Sequence, residues 1–249
     1  MLKLLKYSVQ AKQASAGFCT LAVHPPYRQR AKLLLLDAPG VSWIVLTDEP
    51  DDFAGMPVRV VRHVPTGPMA IDFLTTLPPT GNGRGRPAYH DKRFAIQAAL
   101  QEFDTAIFVD ADTRLTAVPT LPKFRAGIAV VKEVDANIAE HLSRWGQHRT
   151  PAFEQLAIEM TGDSENLKSA RWCSEALLAV TKDGNENKFL DAWARGAEFL
   201  HRKGVFTGEG GVIGLAALYA GWTVDYKALK KLAAATRHEG GGPKWKDEG

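Results

Sequence analysis

Apolar runs of strand length alternate with amphipathic stretches of helix length through the first half of the chain. "GFCTLAV" (17–23), "VSWIVLTD" (41–48) and "VRVVRHV" (58–64) read as strands, with "YRQRAKLLLLDA" (27–38) as the helix between the first two. Strand, helix and strand at this spacing predict parallel pairing through crossovers. A further helix is expected over "DKRFAIQAALQEF" (91–103), capped by Asp91, with Phe94, Ala98, Leu100 and Phe103 on its apolar side. It feeds "AIFVD" (106–110), which has no polar residue before Asp110, as in a central strand buried on both faces. The expected fold class is α/β: a Rossmann-like, mostly parallel central sheet flanked by helices, in one domain.

The second half continues the alternation. "GIAVVKEV" (127–134) reads as a strand, and 135–162 as helical, with Ile138, Leu142, Trp145, Phe153, Leu156 and Met160 apolar and Gly162 as the stop. "WCSEALLAV" (172–180) reads as a strand. Gly184 and Asn185 lead into a helix with Phe189, Trp193, Ala197 and Leu200 on one face, and "FTGEGGVIGLAALYAG" (206–221) as a loop and then a helix ending at Gly221. Two segments stand apart. "LPPTGNGRGRPAYH" (77–90) is dominated by Gly, Pro and Arg, and reads either as a surface loop or as one that closes over an anion. The polar, glycine-rich "RHEGGGPKWKDEG" (237–249) carries His238, Lys244 and Trp245, although Trp usually buries against something.

Composition narrows the function classes. With 45% hydrophobic residues the chain can bury a full core. A net charge of +3 is too balanced to argue for nucleic acid as a partner. Only Cys19 and Cys173 are present, both inside apolar runs, so buried reduced thiols are expected rather than a metal cluster. The opening "MLKLLKYSVQ" lacks a secretory pattern, and no run is long enough to span a bilayer, so a cytoplasmic protein without an integral membrane segment is expected.

The chemistry-bearing feature is "VDADT". Asp110 and Asp112 stand where an apolar strand ends, and in open α/β sheets ligands bind beyond the carboxyl ends of the strands. Residues two apart in extended chain point the same way. Two such carboxylates repel unless a hard cation such as Mg²⁺ or Mn²⁺ sits between them. The other reading is an exposed turn that uses Asp as a turn former. His238, with Lys244 close behind it across glycines, is either a third ligand beside a phosphate-binding lysine or a solvated tail residue.

Taken in order, these blocks resemble the retaining GT-A glycosyltransferases, and within them family eight, the group of glycogenin and the bacterial lipopolysaccharide galactosyltransferases. "AVHPPY" resembles the family's opening strand end, which implies that Tyr27 stacks on the donor base, with Ala22 beside it; His24 stands where the family often has an acid. "KRFAIQAALQEFDTAIFVDADT" resembles the donor helix and D-x-D block. It implies donor contacts from Lys92 or Arg93 and from Ala111, and metal binding by Asp110 and Asp112. "WCSEALLAV" resembles the strand lining the sugar pocket; Ser174 matches, and Glu175 takes a glycine position. In "FTGEGG", Glu209 matches an acidic position and Gly210 replaces an amide. "HEGGGPKW" resembles the terminal H-x-x-G-x-x-K-P-W motif, with proline and lysine swapped. It implies His238 as the third metal ligand and Lys244 on the diphosphate.

The resemblance therefore implies a single GT-A domain (1–249), nucleotide-binding over 1–115 and sugar- and acceptor-binding over 116–249. It implies a Mn²⁺- or Mg²⁺-dependent hexosyltransferase using a nucleotide-diphosphate sugar, a UDP-sugar first of all, with retention and with Glu209 and Glu175 as the catalytic candidates. The acceptor would be a glycan, a lipid-linked sugar or a small molecule. Two alternatives stay open: a sugar-phosphate nucleotidyltransferase, and a non-catalytic nucleotide-sugar-binding module.

Overall fold

The computed structural model describes residues 15–65, 90–117, 120–131, 135–205 and 208–239. Its centre is a six-stranded sheet built from β1 (Ala16–Ala22), β2 (Trp43–Thr47), β3 (Arg59–Arg62), β4 (Thr105–Val109), β6 (Gly127–Val130) and β7 (Leu177–Thr181), in the order β3-β2-β1-β4-β7-β6. The pairs β1–β2, β1–β4 and β2–β3 are parallel, whereas β7 runs antiparallel to both β4 and β6. Every strand but β7 therefore points the same way, and the sheet has a Rossmann-like, mostly parallel character. β4 is buried along its whole length, as the apolar run from Ala106 to Val109 predicts.

Helices cover both faces. α1 (Pro25–Asp37) packs on one side, where Phe18, Leu34, Trp43, Val45 and Ile107 share a core with Leu229 and Leu232. On the other side lie α2 (Lys92–Glu102), α3 (Ile138–Trp145), α4 (Thr150–Thr161), α6 (Glu186–Arg202) and α7 (Glu209–Tyr219), with Ile96, Phe108, Phe153, Trp193 and Val212 in the larger core. Each fully buried side chain of this kind contributes about 1.5–3 kcal/mol. A short α5 (Asn166–Ser169) links α4 to the segment before β7. Cys19 and Cys173 are buried free thiols. Among the described residues, no helix is long and apolar enough to cross a membrane.

Several local expectations need correction. The helical stretch 135–162 is two helices, because the chain breaks at Gly146 and passes through a 3₁₀ turn at Gln147–Arg149. Trp145, placed on the apolar side by spacing, is 63% exposed, since α3 ends there. Asp91 does not cap α2; its carboxylate takes His63 Nε2 at 2.9 Å instead. The strand in "WCSEALLAV" starts only at Leu177, and residues 171–176 are irregular. Residues 77–89 and 240–249, which include Lys244, lie outside the described residues.

The polar tail begins with structure that spacing did not reveal. After α8 (Lys230–Ala234), β8 (Thr236–His238) pairs antiparallel with β5 (Thr113–Leu115), the strand directly after the aspartate pair. Arg114 anchors this two-stranded sheet to α1, donating to Asp37 at 2.6 Å through both Nε and NH2.

Candidate active site

The carboxyl edge of the parallel strands gathers the polar side chains. β4 ends at Val109, Asp110 donates its backbone N–H to Ala176 O (2.9 Å), and Thr113 closes a turn onto Asp110 O (3.0 Å). The register of β5 against β8 sets Thr113 opposite His238. It brings His238 Nδ1 to 3.4 Å from Asp112 Oδ1, while Arg30 NH1 lies 3.6 Å from Asp112 Oδ2. The backbone N–H of Glu239 donates to Asp112 O (2.7 Å) and continues the clamp. His238 thus comes beside Asp112, two residues from Asp110, although a long stretch of chain separates it from both aspartates.

Their chemistry suits a hard divalent ion. Two carboxylates and an imidazole are the donors that Mg²⁺ or Mn²⁺ accepts. The 3.4 Å between His238 and Asp112 is beyond a hydrogen bond. It is near the separation of about 3 Å that neighbouring ligands keep round an octahedral ion. Burial pushes the Asp110 carboxyl above its usual value, Lys92 opposes this, and the charge of Asp112 adds to it. An added cation would relieve that repulsion. Among the described residues, no three His, Cys, Asp or Glu side chains form a complete ligand set as they stand.

Lys92 is the hub. It is 3% exposed, and its ammonium lies 3.0 Å from Asp110 Oδ2, 2.8 Å from Glu209 Oε1 and 3.2 Å from the backbone oxygen of Glu175. Burial alone would favour the neutral amine; Asp110, Glu209 and Glu175 outweigh it and hold the ammonium above the ordinary lysine value. Two further carboxyls complete the cluster. Burial, and then the charge of Glu209, push Glu175 up to about 8 against the pull of Lys92. Burial likewise raises Glu209, with Lys92 opposing through charge and a hydrogen bond. The two acids differ in their partners: the Glu209 carboxylate lies against the Lys92 ammonium, whereas Glu175 meets that ammonium through its backbone oxygen.

The sequence around Glu209 explains their closeness. Gly208 adopts φ 96°, which a residue with a Cβ rarely does, and turns the chain into α7 with Glu209 in the first turn. There the helix dipole favours a carboxylate. Cys173 donates its N–H to Gly210 O at 3.2 Å. A Cβ at Gly210 would run into the carbonyl oxygen of Cys173, and one at Gly214 into that of Arg171. The glycine at 210, where the resemblance expects an amide, is what lets residues 171–175 lie along α7 and deliver Glu175 beside Glu209.

Of the remaining predicted positions, Ala22, Ala111 and Ser174 are buried at this edge. Tyr27 is half-buried in the first turn of α1, packed against the smaller core with the Arg30 guanidinium 6.0 Å from its ring centre. Arg93 turns away from the acids: NH1 donates to His90 O at 2.7 Å, and the guanidinium lies 4.0 Å from the Phe94 ring centre. Lys92, not Arg93, is therefore the cation of this helix in the cluster. No protein-family model matches the chain, and no curated protein matches it. Two contributors escaped the sequence reading. Arg30 reaches Asp112 from α1, and the buried Arg149 lies against Gly208 and feels the charge of Glu175. Nothing in "YRQRAK" or "QHRTP" marks either arginine among the chain's many basic residues.

Proposed function

We propose that this chain is a GT-A-type glycosyltransferase that moves a hexose from a nucleotide-diphosphate donor, a UDP-sugar first of all, to a hydroxyl acceptor with retention. The observation that carries this reading is the pairing of His238 with Asp112 beside Asp110, next to Glu209 at the same sheet edge. A sugar nucleotide needs these two functions side by side, one site for the diphosphate and one for the sugar.

Asp110, Asp112 and His238 would hold Mn²⁺ or Mg²⁺, which supplies charge neutralisation for the leaving diphosphate. Glu209, ion-paired with Lys92, stabilises positive charge developing at the anomeric carbon. Glu175, neutral near pH 7, donates a hydrogen bond to a sugar hydroxyl. Lys92 holds Asp110 and Glu209 at a fixed separation, so the metal pair and the sugar pocket are positioned as one unit.

The test pairs binding with turnover. Thermal unfolding is measured with a panel of sugar nucleotides, with and without Mn²⁺, followed by nucleoside diphosphate release. A Mn²⁺-dependent rise in Tm with release of nucleoside diphosphate is expected, and His238→Ala should remove the Mn²⁺ dependence. Pyrophosphate release from a nucleoside triphosphate and a sugar 1-phosphate, supplied in a parallel assay, would instead assign nucleotidyl transfer, and binding without turnover a non-catalytic module.

A further inference from the structure

Asp112 lies between two side chains that are far apart in sequence. His238 Nδ1 stands 3.4 Å from Oδ1, and Arg30 NH1 stands 3.6 Å from Oδ2. None of the roles above uses the second contact. At 3.6 Å it is an ion pair and not a hydrogen bond.

The other cations nearby are committed elsewhere. Arg28 shares α1 with Arg30, but its NH1 lies 2.8 Å from Asp48 and its Nε 2.5 Å from Asp52. Lys32 also serves Asp52, at 3.2 Å. Side chains two residues apart on a helix do not share a face, so Arg30 leaves those acids behind and reaches Asp112, directly before β5. Its guanidinium lies 6.0 Å from the ring centre of Tyr27, one turn earlier in α1. Arg114, on β5, serves Asp37, and Lys92 is sealed between Asp110 and Glu209. Arg30 differs on two counts. Its side chain is 37% exposed, and its carboxylate partner is one that a divalent ion would claim.

A divalent ion displaces a guanidinium from a carboxylate, because it carries twice the charge and bonds to the oxygen directly. Arg30 would then stand beside a cation and without its anion. A phosphate group held by that ion is the nearest new partner, and the planar fork of a guanidinium matches its oxygens. We propose that Arg30 balances Asp112 in the metal-free protein and turns to a phosphate oxygen of a diphosphate ligand once a divalent ion binds Asp112. The inference rests on the metal pair of the glycosyltransferase reading and gives its diphosphate a further binding residue. It does not require sugar transfer.

The experiment uses the full chain, with UDP and inorganic pyrophosphate as the two ligands. Mn²⁺ binding is read from the electron paramagnetic resonance of the free ion, and ligand binding by calorimetry at saturating Mn²⁺. Arg30→Gln should bind Mn²⁺ alone about threefold more tightly, because the competing charge is gone. The same variant should bind both ligands roughly tenfold more weakly. An arginine with a merely structural role would not produce these opposite shifts. Arg30→Lys, which keeps the charge but not the fork, should keep the wild-type Mn²⁺ affinity and recover part of the ligand affinity. Lys32→Gln removes a charge from the same helix and should move neither. Asp112→Asn should weaken Mn²⁺ binding, which places the ion. The proposal is overturned if Arg30→Gln binds Mn²⁺ no more tightly than the wild type or keeps the wild-type affinity for either ligand. It is also overturned if Lys32→Gln reproduces both shifts, or if Asp112→Asn binds Mn²⁺ as the wild type does. Opposite shifts in a protein that turns over no sugar nucleotide would retain the role of Arg30 and reject the glycosyltransferase reading. Turnover with neither shift would do the reverse.

Discussion

The ammonium of Lys92 and the carboxylate of Glu209 meet at 2.8 Å, with side chains 4% and 3% exposed. A buried pair of this kind is costly to form and costlier to break, because removing one partner leaves the other charged and dry. Lys92 also carries Asp110, so two acids depend on one cation.

Lys92→Ala should destabilise the protein by about 3–5 kcal/mol at pH 7. The freed carboxyls would take up protons more readily, so the loss should shrink as the pH is lowered towards 5. Urea unfolding at both pH values measures it. An equal loss at both would show that the lysine stem, not its charge, is what matters.

Glu175 gives the proposed transfer its own pH signature. Its carboxyl, pushed up to about 8, is neutral below that pH and charged above it. If the neutral acid donates to the sugar, nucleoside diphosphate release should fall as the pH rises through 8, and Glu175→Gln should flatten that limb while keeping activity at pH 7. A limb that survives in the Gln variant would move the ionisation to another group.

Gly210→Ala tests the close passage of residues 171–175 along α7. With the Cys173 carbonyl in the way, the added methyl should cost about 1–3 kcal/mol. It should also impair turnover beyond the stability loss, since Glu175 rides on the displaced segment. Chemical denaturation and the rate at a temperature where the variant stays folded separate the two effects.

His90 governs acid stability. It is 2% exposed, and its Nδ1 accepts from Trp193 Nε1 at 3.0 Å. Burial first, then His201, Arg93 and Lys92, push its pKa down to about 3. The unfolded chain binds this proton near the ordinary 6.5, so the contribution of neutral His90 is fully present above 6.5 and is lost as the pH falls towards 3. The slope reaches about 1.4 kcal/mol per pH unit. Stability profiles of the wild type and His90→Gln over that window should diverge in slope, whatever their offset.

How far the sequence carried depends on the element. β4 was legible because the run from Ala106 to Val109 is apolar. Lys92 and Arg93 could not be told apart, since neighbouring helix residues point about 100° apart and only packing decides which faces the acids. β5 and β8 have three residues each, too few for a periodic signal, so the device that seats His238 was invisible. Gly210 looked like a missing contact because a sequence does not show what passes beside it.

The pairing of Thr113 with His238 has a consequence during biosynthesis. A ribosome releases the two aspartates long before it adds the histidine that faces them. Until β8 is made, the nascent protein carries acids with no imidazole opposite, and Lys92 is the cation at hand to keep Asp110 from repelling its neighbours. The aspartates and the histidine therefore come together in one docking event, when β8 pairs with β5.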